Sequence, residues 1–386
     1  MGRPKSVPLG SFNEVVRNEI LKLRLRFPGW GPSTIWIELS QNKRFEKLRL
    51  PKPSSIARFL NLKGLTKKYE RHVELPYSSR YAAKEVHEIW QIDAQGASEI
   101  PDLGRINFIN IKDCYSRIYC GSMPIPSRSH NGSPSASDYQ FSLRIAFSEF
   151  GLPKKIQTDH AAVFHENKGK SPFPTMFHLW LVSLGIDLIF SRRYRPTDQA
   201  YVERMHQTIE QQTRRKVQFR SLEELIHLVD QRRKQLNEKI PCRSIDKLPP
   251  LIVFPKARHS DRRYRPEIEK QLMNIDRVLR FIALGKWYRK ISSKKMTSLG
   301  GYSYYIENAI PLSTVEITFD DKSQLLEFRN VKEQKILSEK PIKGISKSSL
   351  MKTPFLETSL KCFQLQFPFE CNFKTQKIST TILEFT

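Results

Sequence analysis

The sequence predicts a multidomain α+β chain with an N-terminal helix-turn-helix unit, a central α/β core and a small C-terminal β-barrel. Three observations predict it. The chain has 386 residues, enough for two or three domains. Its apolar period changes twice, from helical spacing before about residue 65, to strands interleaved with helices from 87, to short strands after about 277. Its 65 Lys and Arg against 39 Asp and Glu give a formal charge of +26, which suits a polyanionic partner. The division that follows is 1–70 for the helix-turn-helix unit, 71–86 for a linker, 87–240 for the core, 241–276 for a connector and 277–345 for the barrel. Residues 346–386 carry scattered phenylalanines without a period and receive neither fold nor role.

In the first unit Val16, Ile20, Leu23 and Phe27 fall on one helical face, and Pro28-Gly29-Trp30-Gly31 breaks that helix. Pro32 suits the first turn of a second helix carrying Ile35 and Leu39. After a basic loop with Lys43, Arg44, Lys47 and Arg49, Ser54 can cap a third helix holding Ile56, Phe59 and Leu60. Three short helices in a basic setting fit a helix-turn-helix whose last helix enters the major groove, with Ser54, Ser55 and Arg58 as candidate DNA contacts. A plain three-helix bundle is the bland alternative.

In the core, Ile89–Asp93, Ile106–Ile111 and Arg117–Met123 read as strands, and 126–138 as a loop. Tyr139, Leu143, Phe147 and Phe150 form a helical stripe stopped by Gly151-Leu152-Pro153. Lys155–Asp159 and Ile186–Phe190 are further strands, a helix starts near Val202, and the capping-box pattern Ser221 to Glu224 opens another helix through about Asn237. The connector is rich in Pro and Arg and reads as extended. Val278–Ile282, Tyr302–Ile306, Thr314–Phe319 and Leu325–Arg329 read as barrel strands, with turns at Gly300-Gly301 and Asp320-Asp321.

Composition narrows the function classes. Neutralising phosphates releases counterions, so nucleic-acid binding by this chain is expected to depend strongly on salt. No run of about 18 apolar residues spans a membrane. The basic start MGRPKSVPLGSF lacks the apolar stretch of a secretory signal. Five cysteines (Cys114, Cys120, Cys242, Cys362 and Cys371) without a Cys-x-x-Cys pair suit a reducing cytoplasm and oppose a zinc-finger route to DNA.

Cutting a phosphodiester needs an activated nucleophile, a stabilised leaving oxygen and neutralised phosphate charge. Two divalent ions about 3.5–4 Å apart supply all three. Mg²⁺ takes few carboxylates and leaves its other positions to water and phosphate. Asp93 within one strand, Asp159 ending another and Glu203 opening a helix are the candidate ligands.

At these residues the chain resembles a family. Trp90-Gln91-Ile92-Asp93, Ile156-Gln157-Thr158-Asp159 and the string PTDQAYVERMH from Pro196 to His206 look like the three motifs of the retroviral-integrase-type catalytic core. More narrowly they look like those of bacterial insertion-sequence transposases. Phe27 to Thr34 (FPGWGPST) and Leu299 to Tyr305 (LGGYSYY) resemble that group too, and the likeness spans about 13–340. The resemblance implies a ribonuclease H-like core with catalytic, metal-holding Asp93, Asp159 and Glu203, and two Mg²⁺ or Mn²⁺ ions. It implies double-stranded DNA, both element ends and target, as substrate. Water attacks first and the freed 3′-hydroxyl second. It further implies a homo-oligomer on DNA, in a bacterial cytoplasm at the nucleoid.

Three departures stand out. The 43 residues between Asp159 and Glu203 exceed the family's usual spacing, and Phe164 to Pro174 can hold the excess as a surface loop. His160-Ala161 follows the second Asp where Asn-Gly is usual, and Asp198-Gln199-Ala200 stands where Asn-Gly is usual before the Glu. A decayed transposase that only binds DNA is therefore the alternative function, and a general nuclease without strand transfer is a third. Arg192, Arg193, Arg195, Arg204, Arg214, Arg215 and Lys216 flank the third acid as candidate phosphate contacts. His206 either contacts phosphate or supports Glu203, and His160 is read as structural. Asp113 is a rival acid, expected to pair with Arg117. Trp287, Tyr288, Arg289 and Lys290 stack on or grip DNA, with barrel core an equal role for Trp287.

Overall fold

The computed structural model describes residues 9–66, 82–127, 132–166, 171–192, 196–213 and 218–351. Arg193, Arg195, Arg214, Arg215, Lys216, most of the linker and the tail from 352 lie outside them.

Three helices open the chain: α1 (Glu14–Arg26), α2 (Pro32–Gln41) and α3 (Pro53–Leu62). The α1 stripe faces inward, and Val16, Ile20, Phe27, Trp30, Ile35, Leu39, Ile56, Phe59 and Leu60 form one cluster. Pro32 and Pro53 each take the first turn, where the missing N–H is harmless. The cap of α3 is Lys52, without a side-chain bond, so Ser54 lies inside the helix instead of capping it.

The central sheet runs β3-β2-β1-β4-β5, built from β1 (Ile89–Ile100), β2 (Gly104–Asp113), β3 (Tyr119–Pro126), β4 (Lys155–Thr158) and β5 (Asp187–Phe190). The β1–β2 and β2–β3 pairs are antiparallel, and β1–β4 and β4–β5 are parallel. Between its strands come α4 (Ala136–Phe150) and α5 (Met176–Ser183), and after it α6 (Ala200–Thr213) and α7 (Leu222–Glu238). Strand alternation divides the apolar residues between two faces. Trp90, Ile92, Ile109 and Ile111 join Leu143, Phe147, Leu179 and Trp180. Ile106 and Phe108 join Met205, Ile209, Leu225 and Val229. Ser135 and Asp138 form a full capping box on α4, and Ser221 caps α7 through the Glu224 N–H at 3.3 Å.

The segment read as an extended connector contains α8 (Pro250–Val253), α9 (Glu269–Leu272) and the start of α10 (Ile275–Ala283). Its few apolar side chains are anchors rather than a stripe. Tyr264 and Met273 are buried in the main cluster. Val278–Ile282 is helical, not a strand. Asn274 Oδ1 accepts the Arg277 N–H at 2.9 Å, and Val278, Leu279 and Ile282 are the buried positions at helical spacing. A capping Asn ahead of five residues outweighs their β-branched character.

The expected barrel is an open sheet. β11 (Ile336–Pro341), β10 (Leu325–Asn330), β9 (Thr314–Asp320) and β6 (Lys286–Lys290) pair in that order, while β7 (Met296–Leu299) and β8 (Tyr302–Tyr305) form a separate hairpin. Gly300 and Gly301 turn that hairpin at φ 59° and 84°, a backbone that side chains resist. The sheet shares its core with the central domain, for Trp287 is buried against Phe173 and its indole N–H donates to Pro172 O at 3.2 Å. Trp287 is thus core. The hydroxyl of Tyr288 donates to Glu316, and Arg289 binds Ser171 and Glu166. A short α11 (Lys347–Met351) ends the described chain. Among the described residues no helix is long and apolar enough to cross a membrane.

Candidate active site

The parallel β1–β4 register sets Ile89 against Lys155, Trp90 against Ile156 and Gln91 against Gln157. Continued by two residues, it sets Asp93 beside Asp159, where the two strands part. This is the carboxyl edge of the parallel pair, the usual location of ligand sites in such sheets.

Asp93 lies on the face that α6 covers. Along β1, Gln91, Asp93 and Gln95 share that face and meet positions one helical turn apart on α6. Gln91 Oε1 accepts the Val202 N–H at 3.1 Å, Asp93 Oδ2 lies 3.1 Å from His206 Nε2, and Gln95 Nε2 donates to Glu210 at 3.2 Å. His206 Nδ1 lies 2.6 Å from Asn110 Nδ2, and Asn110 is the residue directly across from Asp93 on β2. A carboxylate only accepts, so the His206 proton facing Asp93 is on Nε2. His206 thus bridges Asp93 and Asn110. Asp93 Oδ1 accepts its second bond from the Ala94 N–H at 2.9 Å.

Asp159 follows β4 and turns the chain by accepting the Ala161 N–H at 2.9 Å. Glu203 is exposed in the first turn of α6. Its pKa is raised by partial burial and by the charge of Asp93, with His206 opposing. Both Asp93 and Asp159 push the buried Tyr139 hydroxyl upward, after burial itself. The three acids thus share one electrostatic neighbourhood. They do not form a closed cage, for among the described residues no group of three His, Cys, Asp or Glu is gathered tightly enough to hold a metal.

The neighbourhood fits hard divalent cations. Its donors are carboxylate oxygens, and the buried oxygens Asn110 Oδ1, Thr158 Oγ1 and Gln95 Oε1 beside them have no partner. After burial, the charge of Asp93 raises the Glu203 pKa, and that part is a repulsion a cation relieves.

Of the flanking basic residues, Arg192 is bound to Asp198. Its backbone N–H, Nε and Nη2 donate to that carboxylate at 3.0, 2.9 and 2.8 Å. Asp198 is buried and ties Arg192 to the turn ahead of α6. Arg204 is exposed and bonds Gln207. Ser54 and Arg58 are exposed and Ser55 half-buried. Asp113 is buried with Ser116 and the His87 N–H as partners, not Arg117. Burial raises it to about 6 against those bonds. Arg117 instead bonds the Cys114 carbonyl and lies over the Tyr201 ring at 3.8 Å. His160 stacks on Phe190 at 5.3 Å, a structural placement.

Residues 184–250 match the family model described as integrase core domain. The match takes in β5, α6 and α7, hence Asp198, Glu203 and His206, and supports an integrase-type core; Asp93 and Asp159 precede it. Among solved structures the chain is similar to the HTLV-2 integrase catalytic core domain in complex with magnesium, trimeric form. The identity is 14% and the TM-score 0.31, over 44% of this chain and 96% of that one. It is also similar to a chain of the simian T-cell lymphotropic virus intasome in complex with PP2A regulatory subunit B56 gamma, at 13% identity and TM-score 0.35, over 84% and 96%. The BIV integrase catalytic core domain aligns at 14% identity and TM-score 0.32, over 44% and 95%.

Proposed function

We propose that this chain is a transposase that cuts DNA at the ends of a mobile element and joins them to target DNA. What supports the reading is the β1–β4 register, paired through Gln91 and Gln157, whose continuation by two residues would set Asp93 level with Asp159, together with the charge of Asp93 acting on Glu203. The integrase core match over α6 and α7 supports it. Asp93, Asp159 and Glu203 would hold two Mg²⁺ or Mn²⁺ ions. When bound, these supply activation of the attacking oxygen and neutralisation of the phosphate charge. The chain's own residues orient the acids. His206 keeps one oxygen of Asp93 turned to α6, and Arg192 holds Asp198 in the turn ahead of Glu203. Helices α1–α3 would recognise element ends as a helix-turn-helix, with Ser54, Ser55 and Arg58 on the DNA and Arg204 on phosphate. Joining two ends implies a homo-oligomer on DNA, and the DNA substrate implies the bacterial nucleoid as its place of work.

The test incubates purified protein with Mg²⁺ or Mn²⁺ and labelled DNA carrying element ends, beside Asp93→Asn, Asp159→Asn and Glu203→Gln. Nicking and joining by the wild type alone, with binding retained by all three variants, upholds the reading. The second reading is a DNA-binding remnant, favoured by His160-Ala161 and Asp198-Gln199-Ala200 where Asn-Gly is usual beside the second and third acids. Binding without any cutting, under either ion, selects it.

A further inference from the structure

Gln91 is a buried side chain, 2% exposed, whose amide touches the backbone or side chain next to each of the three acids. Its Nε2 donates to Gln157 Oε1 at 3.1 Å, two residues before Asp159, and to Asp198 O at 2.7 Å, in the loop leading to Glu203. Its Oε1 accepts from Val202 N at 3.1 Å, one residue before Glu203. Gln91 itself precedes Asp93 by two residues on the same strand face. The Val202 N–H can only donate and the Asp198 carbonyl can only accept, so the orientation of the amide is fixed. Val202 lies in the first turn of α6, where an N–H has no partner within the helix. An apolar side chain would satisfy none of these groups.

We propose that Gln91 is a positioning residue that sets the register of α6 against the β1–β4 pair, and so the place of Glu203 relative to Asp93 and Asp159. The inference rests on the metal-dependent reading above. Gln91 touches no reacting atom in it. Its amide couples metal binding at the strand acids to order in the first turn of α6, and that coupling acts in both directions.

The test uses the full-length chain. Gln91→Met keeps the volume and removes all three bonds, whereas Gln91→Glu keeps the acceptor for Val202. Hydrogen exchange reads the Val202 amide, and calorimetric titration with Mn²⁺ reads the site without DNA. Gln91→Met is expected to lose about tenfold in Val202 protection and about five- to tenfold in Mn²⁺ affinity, the effect of one to two net hydrogen bonds. Under saturating DNA its turnover falls while its DNA affinity stays. Gln91→Glu is expected to restore Val202 protection. In the wild type, Mn²⁺ is expected to slow exchange at Val202, a measurement that stands even where Gln91→Met fails to fold. Unchanged Val202 exchange on adding Mn²⁺, or a folded Gln91→Met with wild-type Mn²⁺ affinity, overturns the proposal. Mn²⁺ binding that is absent from the wild type, or that Asp93→Asn leaves intact, instead overturns the metal-dependent reading itself.

Discussion

Replacing Glu269 by alanine is expected to destabilise the chain more than any change at the candidate site. The Glu269 carboxylate lies in α9 and accepts from Arg144 Nε at 2.7 Å, Arg144 Nη2 at 2.8 Å, Trp180 Nε1 at 2.8 Å and the Tyr264 hydroxyl. Its side chain is 2% exposed and that of Arg144 7%. Burial alone would raise the Glu269 pKa, yet the Arg144 bonds and charge outweigh it and hold the group below its ordinary value. Removing one partner of such a pair strands the other charge in the interior, at a cost of about 3–5 kcal/mol. Glu269→Leu with Arg144→Met removes both charges and is expected to recover most of that loss. The unpaired Trp180 and Tyr264 donors retain a cost of about 1–2 kcal/mol. Urea unfolding followed by circular dichroism and tryptophan fluorescence gives the cycle, and coincident transitions license a two-state treatment. A Glu269→Ala loss under about 1 kcal/mol, or a double variant no better than the single one, refutes the reasoning.

Acid is expected to weaken the fold between pH 6.5 and 4. Burial holds His87 and His178 at about 4, so the unfolded chain binds protons there that the native chain does not. Asp113, raised to about 6, has the opposite sign and offsets only one of the two. Urea midpoints that rise from pH 6.5 to 4.5 contradict this. His206→Ala removes the donor to Asp93, and Mn²⁺ affinity or turnover is expected to fall by about 10- to 100-fold. Titration calorimetry with unchanged affinity, in a variant of native circular dichroism, removes His206 from the site. Arg58→Ala is expected to weaken duplex binding evenly across sequences and to lower the salt slope by about 1; an unchanged slope takes α3 off the phosphates.

What was legible in the sequence followed from period. The α1 stripe, the β1, β2, β4 and β5 strands and the Ser221 cap are local signals, and each appears where its spacing put it. The segment 241–276 was opaque because its order comes from distant partners. Glu269 makes sense only beside Arg144 and Trp180, and Arg262 only where it reaches Pro153 O and Leu184 O at 2.6 Å. Strand-like Val278–Ile282 misled because its branched residues suit either period, and Asn274 decided for a helix. The open C-terminal sheet was unreadable because closure depends on pairing between distant strands. At the site, the three acids were visible as types in context, whereas Gln91 and Asn110 were passed over. The signal was present: an amide inside an otherwise apolar strand is buried, and a buried amide has partners. Asp113 was correctly taken as structural but given the wrong partner, since a turn to Ser116 is as short in sequence as one to Arg117.

The break at Pro28 to Gly31 is also a joint. The Trp30 indole N–H donates to the Gln212 carbonyl near the end of α6 at 3.1 Å, and the Arg232 guanidinium covers the Trp30 ring at 4.1 Å while pairing with Glu38. At Gly29 a side chain would meet Gln211 Cβ at 2.2 Å, so only glycine admits this approach. The helix that carries Glu203 in its first turn thus ends against the N-terminal unit. A strut of fixed length runs from α2 to the acids, and a load applied to one end is felt at the other. A displacement of α1–α3 would therefore bear on the far end of the helix that carries Glu203.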